Sequence, residues 1–357
     1  MVLYIWELEN NAFKRIAVID DAVSVIWARA YNAPGNFEVY MQATTERVKL
    51  FTEVAQLFIT RESDSTVMMY VEKVEITTDP ENGNYMTISG RGAECLLGMR
   101  IVPAQWNFSG RVENGIRQLI NENIISPSAS ARQIPFIQLG QNVGLETSFT
   151  KQITGENLLD AVSEMCKAYN LGFKFIFTGS GFLFQMYRGS DRSYNQTDNS
   201  YVVFSPEYEN LANTTYTNDK TTSYNAAYVA GEGEGTSRII VDVQNPQGKT
   251  GIDRREIWLD ARNTSTNDGE ISPITYANIL YTDGFDQLDD MVETKTFEGE
   301  TIDPGVFEAF EDYDLGDTVQ IENAFGLRGT AIVQEITEVE DESGYRRYPT
   351  LSEWSVT

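Results

Sequence analysis

The residue types that most often carry catalysis are scarce in this sequence. The chain has 357 residues, with no histidine and with two cysteines, Cys95 and Cys166. The lack of histidine excludes Ser-His-Asp and Cys-His catalysis, and it excludes zinc sites that depend on imidazole. Both cysteines stand among apolar neighbours. We therefore interpret them as small buried hydrophobic residues rather than as a disulfide or a metal site.

Acidic residues are the next candidates, because glycoside hydrolysis needs two carboxylates that flank a cleft. The sequence contains 53 Asp and Glu residues against 27 Lys and Arg residues. At that density, pairs such as Glu207 with Glu209, or Asp289 with Asp290, arise by chance. A cell-wall glycosidase therefore stays an alternative that no motif supports.

Two kinds of loop superficially resemble ligand-binding loops. Residues 231–235 read Gly-Glu-Gly-Glu-Gly, but a phosphate-binding loop leads into a helix N-terminus, and here residues 236–242 predict a strand. The two glutamates would also repel an anion. Segments 267–270 and 283–286 lack the spacing of a calcium loop. We therefore predict no metal, no cofactor, no catalytic residue and no enzymatic activity.

The tryptophans are candidates for stacking against sugars. Isolated Trp residues inside strand patterns more often belong to a core or an interface, so we predict structural roles for them. A glycan-binding adhesin stays an alternative, and it would need an exposed cleft lined by Trp and Tyr. The five positions are Trp6, Trp27, Trp106, Trp258 and Trp354.

The charge balance limits the possible partners. The formal net charge is −26, and a surface this negative should repel duplex DNA and anionic membranes. Such acidity serves solubility, or it lets a surface face DNA without binding it. No segment approaches the ~20 apolar residues of a membrane span. Residues 1–7 lack the pattern of an export signal, so we expect cytoplasmic synthesis and no membrane insertion.

Residues 1–102 are predicted to be β-rich. Apolar and polar residues alternate around 67–71, which is typical of half-buried strands. Asn82 and Gly83 lie between two such segments and predict a tight hairpin turn, because both residue types tolerate a positive φ. A second turn is predicted at 31–36.

Residues 103–200 have a mixed α/β pattern. Apolar residues within 112–120 recur at helical spacing, which predicts an amphipathic helix. A second helix is predicted over 158–169, with Thr154 as its N-cap. An aromatic β-hairpin is predicted within 173–187.

Residues 201–357 are predicted to return mostly to strands. A short apolar strand is predicted at 226–230, a helix within 273–290, and several strands after residue 317. The chain is longer than one hydrophobic core usually supports, so two to four domains are expected.

Several short motifs follow one another in an order that resembles one protein family. They include Trp6-Glu7, Ser24-Val-Ile-Trp27, Arg29-x-Tyr-Asn-x-Pro-Gly-Asn-Phe37, Ile88-Ser-Gly-Arg91, Gly189-x-Asp-Arg192, Val203-Phe-Ser-Pro206 and Tyr313-x-Leu-Gly-Asp-x-Val319. The family is that of the siphophage and prophage tail-hub proteins, the Gp37-like structural proteins of phages that infect Gram-positive bacteria. The C-terminal segment 353–357 departs from the family pattern.

The resemblance implies an α+β, β-rich fold similar to phage baseplate hubs, with two β-barrel-like tube modules and a central α/β region. The first module would be 1–102, the central region 103–200, and the second module 201–357, interrupted near 255–295 by a helix-containing insertion. Glycines in the motifs are expected in turns, the aromatic residues in the core, and the charged residues in ion pairs or turn contacts. The motif residues are Trp27, Gly35, Phe37, Gly90, Arg91, Asp191, Arg192, Gly316 and Asp317.

The resemblance also implies partners and a location. It predicts a homotrimer in the virion tail that contacts distal tail or tail-tube proteins on one side and a tip fibre or spike protein on the other. DNA would pass through the ring during genome ejection without specific binding.

Overall fold

A computed structural model describes residues 1–81, 83–244, 248–267, 270–302, 305–352 and 355–356. They form two compact units, of which the first contains residues 1–214 and 299–355 and the second contains residues 215–298. Three features of the sequence analysis fall partly outside the described residues. They are the turn residue Asn82, the segment 267–270 and the C-terminal segment with Glu353 and Trp354.

Strands dominate the chain. The α-helices are α1 (Thr45–Glu53), α2 (Val112–Ile120), α3 (Leu158–Ala168) and α4 (Pro273–Asp290). In chain order, the strands are β1 (Leu3–Glu9), β2 (Ala12–Ile19), β3 (Ser24–Ala30), β4 (Asn36–Gln42), β5 (Leu57–Arg61), β6 (Met68–Asp79), β7 (Gly83–Gly92), β8 (Trp106–Arg111), β9 (Ile137–Leu139), β10 (Ser148–Ile153), β11 (Gly172–Phe177), β12 (Phe182–Tyr187), β13 (Asp191–Arg192), β14 (Val203–Phe204), β15 (Leu211–Asp219), β16 (Ala226–Ala230), β17 (Ile240–Gln244), β18 (Glu256–Asp260), β19 (Thr294–Thr301), β20 (Thr318–Glu322), β21 (Arg328–Asp341), β22 (Gly344–Leu351) and β23 (Ser355–Val356).

One large sheet organises the first unit. Its strand order is β13-β20-β21-β3-β4-β7-β6-β5-β1-β2, with β14 beside β20 and β22 beside β21. The pairing of β21 with β3 is antiparallel and joins the C-terminal strands to the N-terminal ones. Within the described residues this order is open, with β2 and β13 at its ends. The closed barrel modules therefore stay a prediction.

Period-two hydrophobicity explains the central strands of this sheet. On β4, Phe37, Val39 and Met41 are buried, whereas Asn36, Glu38 and Gln42 are exposed. Successive side chains of a strand point to opposite faces, so this alternation places one face of β4 in a core. The same core receives residues from β1, β3, β5, β6 and β7.

A second core of the first unit lies around α2 and α3. Apolar faces of both helices pack with the aromatic hairpin β11–β12. Phe182 on β12 contacts Phe175 and Phe177 on β11, with ring centroids 5.5 and 5.6 Å apart. Cys95 and Cys166 are both buried in this core as free thiols, which confirms their interpretation as small hydrophobic residues.

The second unit is a small α/β layer. Strand β16 lies between β17, which is antiparallel to it, and β18, which is parallel. Helix α4 covers one face of this sheet, where Tyr276 and Leu280 pack with Val229 and Val243. Gly284 of the helix lies so close to the sheet that an added Cβ would be 2.3 Å from the side chain of Val229.

Local patterns in the sequence predicted these elements well. The hairpin β6–β7, the hairpin β11–β12, and helices α2 and α4 are confirmed. The N-cap of α3 was predicted wrongly, because Asn157 rather than Thr154 caps it. The Asn157 side chain accepts a hydrogen bond from the N–H of Leu159 at 2.9 Å, whereas the Thr154 hydroxyl donates to the carbonyl of Ile153.

Candidate functional site

Three of the predicted site residues lie in one row across the main sheet. Trp27 on β3 is opposite Phe37 on β4, and Phe37 is opposite Gly90 on β7. The Trp27 and Phe37 rings are buried, with centroids 6.0 Å apart. A Cβ on Gly90 would lie 1.9 Å from the carbonyl oxygen of Tyr70 on β6. Gly90 therefore lies inside a strand where only a hydrogen atom fits, not in a turn as predicted.

Gly35 and Arg91 lie beside this row. Gly35 is in the turn before β4, where an added Cβ would be 2.1 Å from the carbonyl oxygen of Ala28. Arg91 donates two hydrogen bonds to Glu72, at 2.8 and 2.7 Å, and these bonds raise the pKa of the Arg91 guanidinium. The two side chains are 49% and 29% exposed, so this ion pair lies at the surface and contributes little stability.

The structure brings the other four predicted residues together at the start of β20. Asp191 and Arg192 form β13, which pairs in parallel with β20. Asp317 accepts hydrogen bonds from the N–H of Ser190 and from Nε of Arg192, both at 2.6 Å. The Asp317 side chain is 4% exposed, so this carboxylate is a buried charge with its own partners. Asp191 instead accepts from the N–H of Ser193 in a local turn.

Gly316 shapes the turn that presents Asp317. Its φ is +86°, and an added Cβ would lie 2.2 Å from the ring of Tyr31. Asp317 also accepts the N–H of Asp314 at 3.1 Å, which closes the turn as predicted. Burial raises the pKa of Tyr31 to about 12. Tyr31 lies within the 29–37 motif but was not among the predicted site residues.

A buried ion pair was missed altogether. Arg61 at the end of β5 lies 2.7 Å from Glu338 on β21, and the two side chains are 6% and 2% exposed. Glu338 is opposite Trp27 in the β21–β3 register, and the Arg61 guanidinium lies over the Trp27 ring. Burial alone would raise the pKa of Glu338, but Arg61, Tyr345 and Arg29 together outweigh it and hold that pKa below its ordinary value. Glu338 stands two positions after Ile336 and therefore on the same buried face of the strand. A charged residue on this apolar face was the signal in the sequence that could have indicated the pair.

The first unit contains a cavity whose lining includes Arg29, Asp64, Glu94 and Asp317. Asp64 is 3.3 Å from Arg29, and Glu94 accepts the N–H of Phe175 at 2.8 Å. Burial raises the pKa of Glu94. These carboxylates are engaged by guanidinium or backbone groups. Across the part of the chain that the structure describes, no group of three or more Cys, Asp or Glu residues is arranged to hold a metal ion.

The tryptophans divide into two groups. Trp27 and Trp106 are buried, and Trp6 donates its indole N–H to Thr60 at 2.9 Å. Trp258 is 54% exposed and therefore does not lie in a core, so an interface role stays the prediction for this residue. None of the described helices is long and apolar enough to cross a lipid bilayer.

The fold of the chain has a counterpart among solved structures. It is similar to that of the 43 kDa tail protein of prophage MuSo2 from Shewanella oneidensis, with a TM-score of 0.51 and 12% identity, over 99% of this chain and 98% of that chain. The two proteins therefore share a fold. Residues 2–351 match the family described as Siphovirus ReqiPepy6 Gp37-like protein, and the chain belongs to this family.

Two other solved structures resemble the chain. A tail protein from Neisseria meningitidis MC58 has a TM-score of 0.49 and 10% identity, and the match covers 99% of this chain and 96% of that chain. The prophage tail protein gp18 from Listeria monocytogenes EGD-e has a TM-score of 0.49 and 11% identity, and the match covers 98% and 94%. No curated protein matches the chain.

Proposed function

We propose that this chain is a non-enzymatic structural hub of a phage or prophage tail. The family match over residues 2–351 carries the proposal. Three copies form a ring that joins the tail tube and distal tail proteins to a tip fibre or spike protein. DNA passes through the ring during ejection. The chain needs no metal or cofactor for this role, which depends on shape and on interfaces.

The sheet topology supports an adapter of this kind. Strands from 1–102 and from 201–357, the two segments expected to form tube modules, meet in one sheet where β21 pairs with β3. Two similar modules in each of three copies would present six modules to a sixfold tube and three copies to a threefold tip.

The ends of the sheet supply surfaces for ring formation. Among the described residues, β2 pairs with β1 on one side and has no strand on its other side, and β13 occupies the opposite end. Unpaired strand edges present backbone N–H and C=O groups that invite a further strand. A neighbouring copy in the ring covers such an edge and prevents open-ended aggregation.

The charge of the chain fits a channel for DNA. Lys and Arg side chains along the channel would contact phosphates and retard ejection. An acidic wall repels the duplex over about a Debye length, ~8–10 Å at ordinary ionic strength. With a net charge of −26 per chain, we expect the inward surface of the ring to be net negative, with few Lys or Arg side chains.

Assembly of the purified protein should depend on salt. We expect monomers at low ionic strength, because 26 net negative charges per chain repel one another when poorly screened. The trimer fraction should rise as salt is added. Multi-angle light scattering across several salt concentrations measures both species. A stable dimer at every concentration would contradict a threefold hub.

A further inference from the structure

The face of the second unit's sheet that lies opposite helix α4 carries an aromatic pair. Helix α4 covers the face with Val229 and Val243, so the alternate residues of the strands point to the opposite face. There Tyr228, on the central strand β16, is opposite Trp258 on β18 and opposite Asp242 on β17. Tyr228 is half-buried and Trp258 is 54% exposed.

Fixed charges surround the aromatic pair. At one end, Arg254 lies 3.2 Å from Asp242 and 2.5 Å from Glu256. These contacts hold one guanidinium and two carboxylates in defined positions next to the rings. Glu256 is two residues before Trp258 on β18, and Asp242 is opposite Tyr228 in the register. Both carboxylates therefore lie on the same side of the sheet as Trp258.

The other end has a matching arrangement around Asp260. Arg262 lies 2.8 Å from Asp260, and Arg238 pairs with the same carboxylate. Arg238 also donates to the carbonyls of Ala230 and Gly231, at 2.8 and 2.7 Å, which fixes its guanidinium 5.8 Å from the Trp258 ring centroid. Hydrogen-bonding groups are thus held at both ends of the aromatic pair.

The ion pairs on this face balance, because three arginines (238, 254, 262) pair with three carboxylates (242, 256, 260). Glu234 lies near Arg262 and adds one negative charge, so the face is close to neutral, whereas the chain as a whole carries −26. An anionic polymer would meet three carboxylates there, and a cationic ligand would meet three guanidinium groups. The charge pattern therefore favours an uncharged, polar ligand.

The size of the face favours a small ligand over a protein partner. Strands of five residues extend about 17 Å and three strands span about 10 Å, which gives roughly 170 Å². A stable protein interface buries about 800 Å² on each partner. The face is too small for that, but its dimensions suit a few sugar rings.

We propose that the face formed by Tyr228, Trp258 and their paired charges binds a neutral oligosaccharide. The apolar C–H side of a sugar ring would stack on the exposed indole of Trp258. The hydroxyl groups would bond to the fixed guanidinium groups and carboxylates, since charge-assisted hydrogen bonds are strong and directional. This inference does not rest on the hub function, and either can fail alone.

An array of neutral oligosaccharides probed with the full-length protein tests the proposal, followed by titration of the strongest hit. Trp258→Ala should weaken binding about fivefold, because stacking on an aromatic ring is worth on the order of 1 kcal/mol. Trp258→Phe should retain part of the affinity. Phe325→Ala is the matched control, since Phe325 is 90% exposed in the first unit and should bind like the wild type.

Three results would overturn the proposal. They are the absence of any neutral oligosaccharide that binds, equal binding by wild type and Trp258→Ala, and preferential binding of an anionic polymer such as polyglycerol phosphate. Far-UV circular dichroism and thermal unfolding of Trp258→Ala, compared with the wild type, separate lost binding from lost folding. If this variant unfolds, retained binding by Trp258→Phe together with weaker binding by Tyr228→Ala still supports the site, and unchanged binding in Tyr228→Ala counts against it.

Discussion

Gly90→Ala should destabilise the first unit by about 3 kcal/mol, near the upper end of the usual cost of overpacking. The added methyl group would lie 1.9 Å from the carbonyl oxygen of Tyr70 and 2.9 Å from the backbone nitrogen of Glu72. Both are backbone atoms of the paired strand β6, which has a bulge between Val71 and Lys73. The clash can be relieved only by moving β6 away from β7, which breaks hydrogen bonds of the ladder.

Gly98→Ala is the matched control for this substitution. A Cβ at Gly98 would meet side-chain carbons of Leu159 at 3.4 and 3.6 Å, which are ordinary contacts. We expect a change within about 1 kcal/mol, because alanine also restricts the unfolded chain. Urea unfolding followed by far-UV circular dichroism compares the two variants. Equal midpoints would show that the close approach of β6 to Gly90 does not constrain the fold.

Glu338→Leu should cost about 3–5 kcal/mol, because the Arg61 guanidinium then stays buried without its carboxylate. Arg61→Met should cost less, because Glu338 keeps Tyr345 and Arg347 as partners. The double variant should recover much of the stability, since apolar residues of similar size can replace a buried ion pair. A double variant that loses the sum of the two single effects would contradict this account.

The pH dependence of stability provides a second measurement on the same pair. The pKa of Glu338 is lower in the folded chain than the ordinary value of 4.5. The stabilisation is therefore fully present above that ordinary value and is lost as the pH falls through the lower folded-state pKa. Glu338→Leu should show a shallower loss of unfolding free energy below pH 4.5 than the wild type.

Local patterns in the sequence predicted the elements that depend on neighbouring residues. The hairpin β6–β7 follows from alternation around a Gly turn, and α2 follows from its apolar spacing. The turn contact of Asp317 is also local, because Asp317 accepts the N–H of Asp314, three residues earlier. These features depend on short-range geometry that a single sequence encodes directly.

Features that depend on long-range pairing were not visible in the sequence. The pairing of Glu338 with Trp27 joins residues at opposite ends of the chain, so no local pattern indicates it. Gly90 was taken for a turn residue because its close neighbour, Tyr70, lies on another strand. The start of the second compact unit at residue 215 also has no local signal, because β16 and β17 look like any other short strands.

Cryo-electron microscopy of tails from a phage or prophage that encodes this chain tests the hub proposal most directly. We expect a ring of three copies where the tube meets the tip. The sheet ends at β2 and β13 should lie in contact between neighbouring copies. The wall facing the channel should be net negative. Absence of the chain from purified tails, or many copies repeated along the tube, would contradict the proposal. A channel wall rich in Lys and Arg would contradict its charge component.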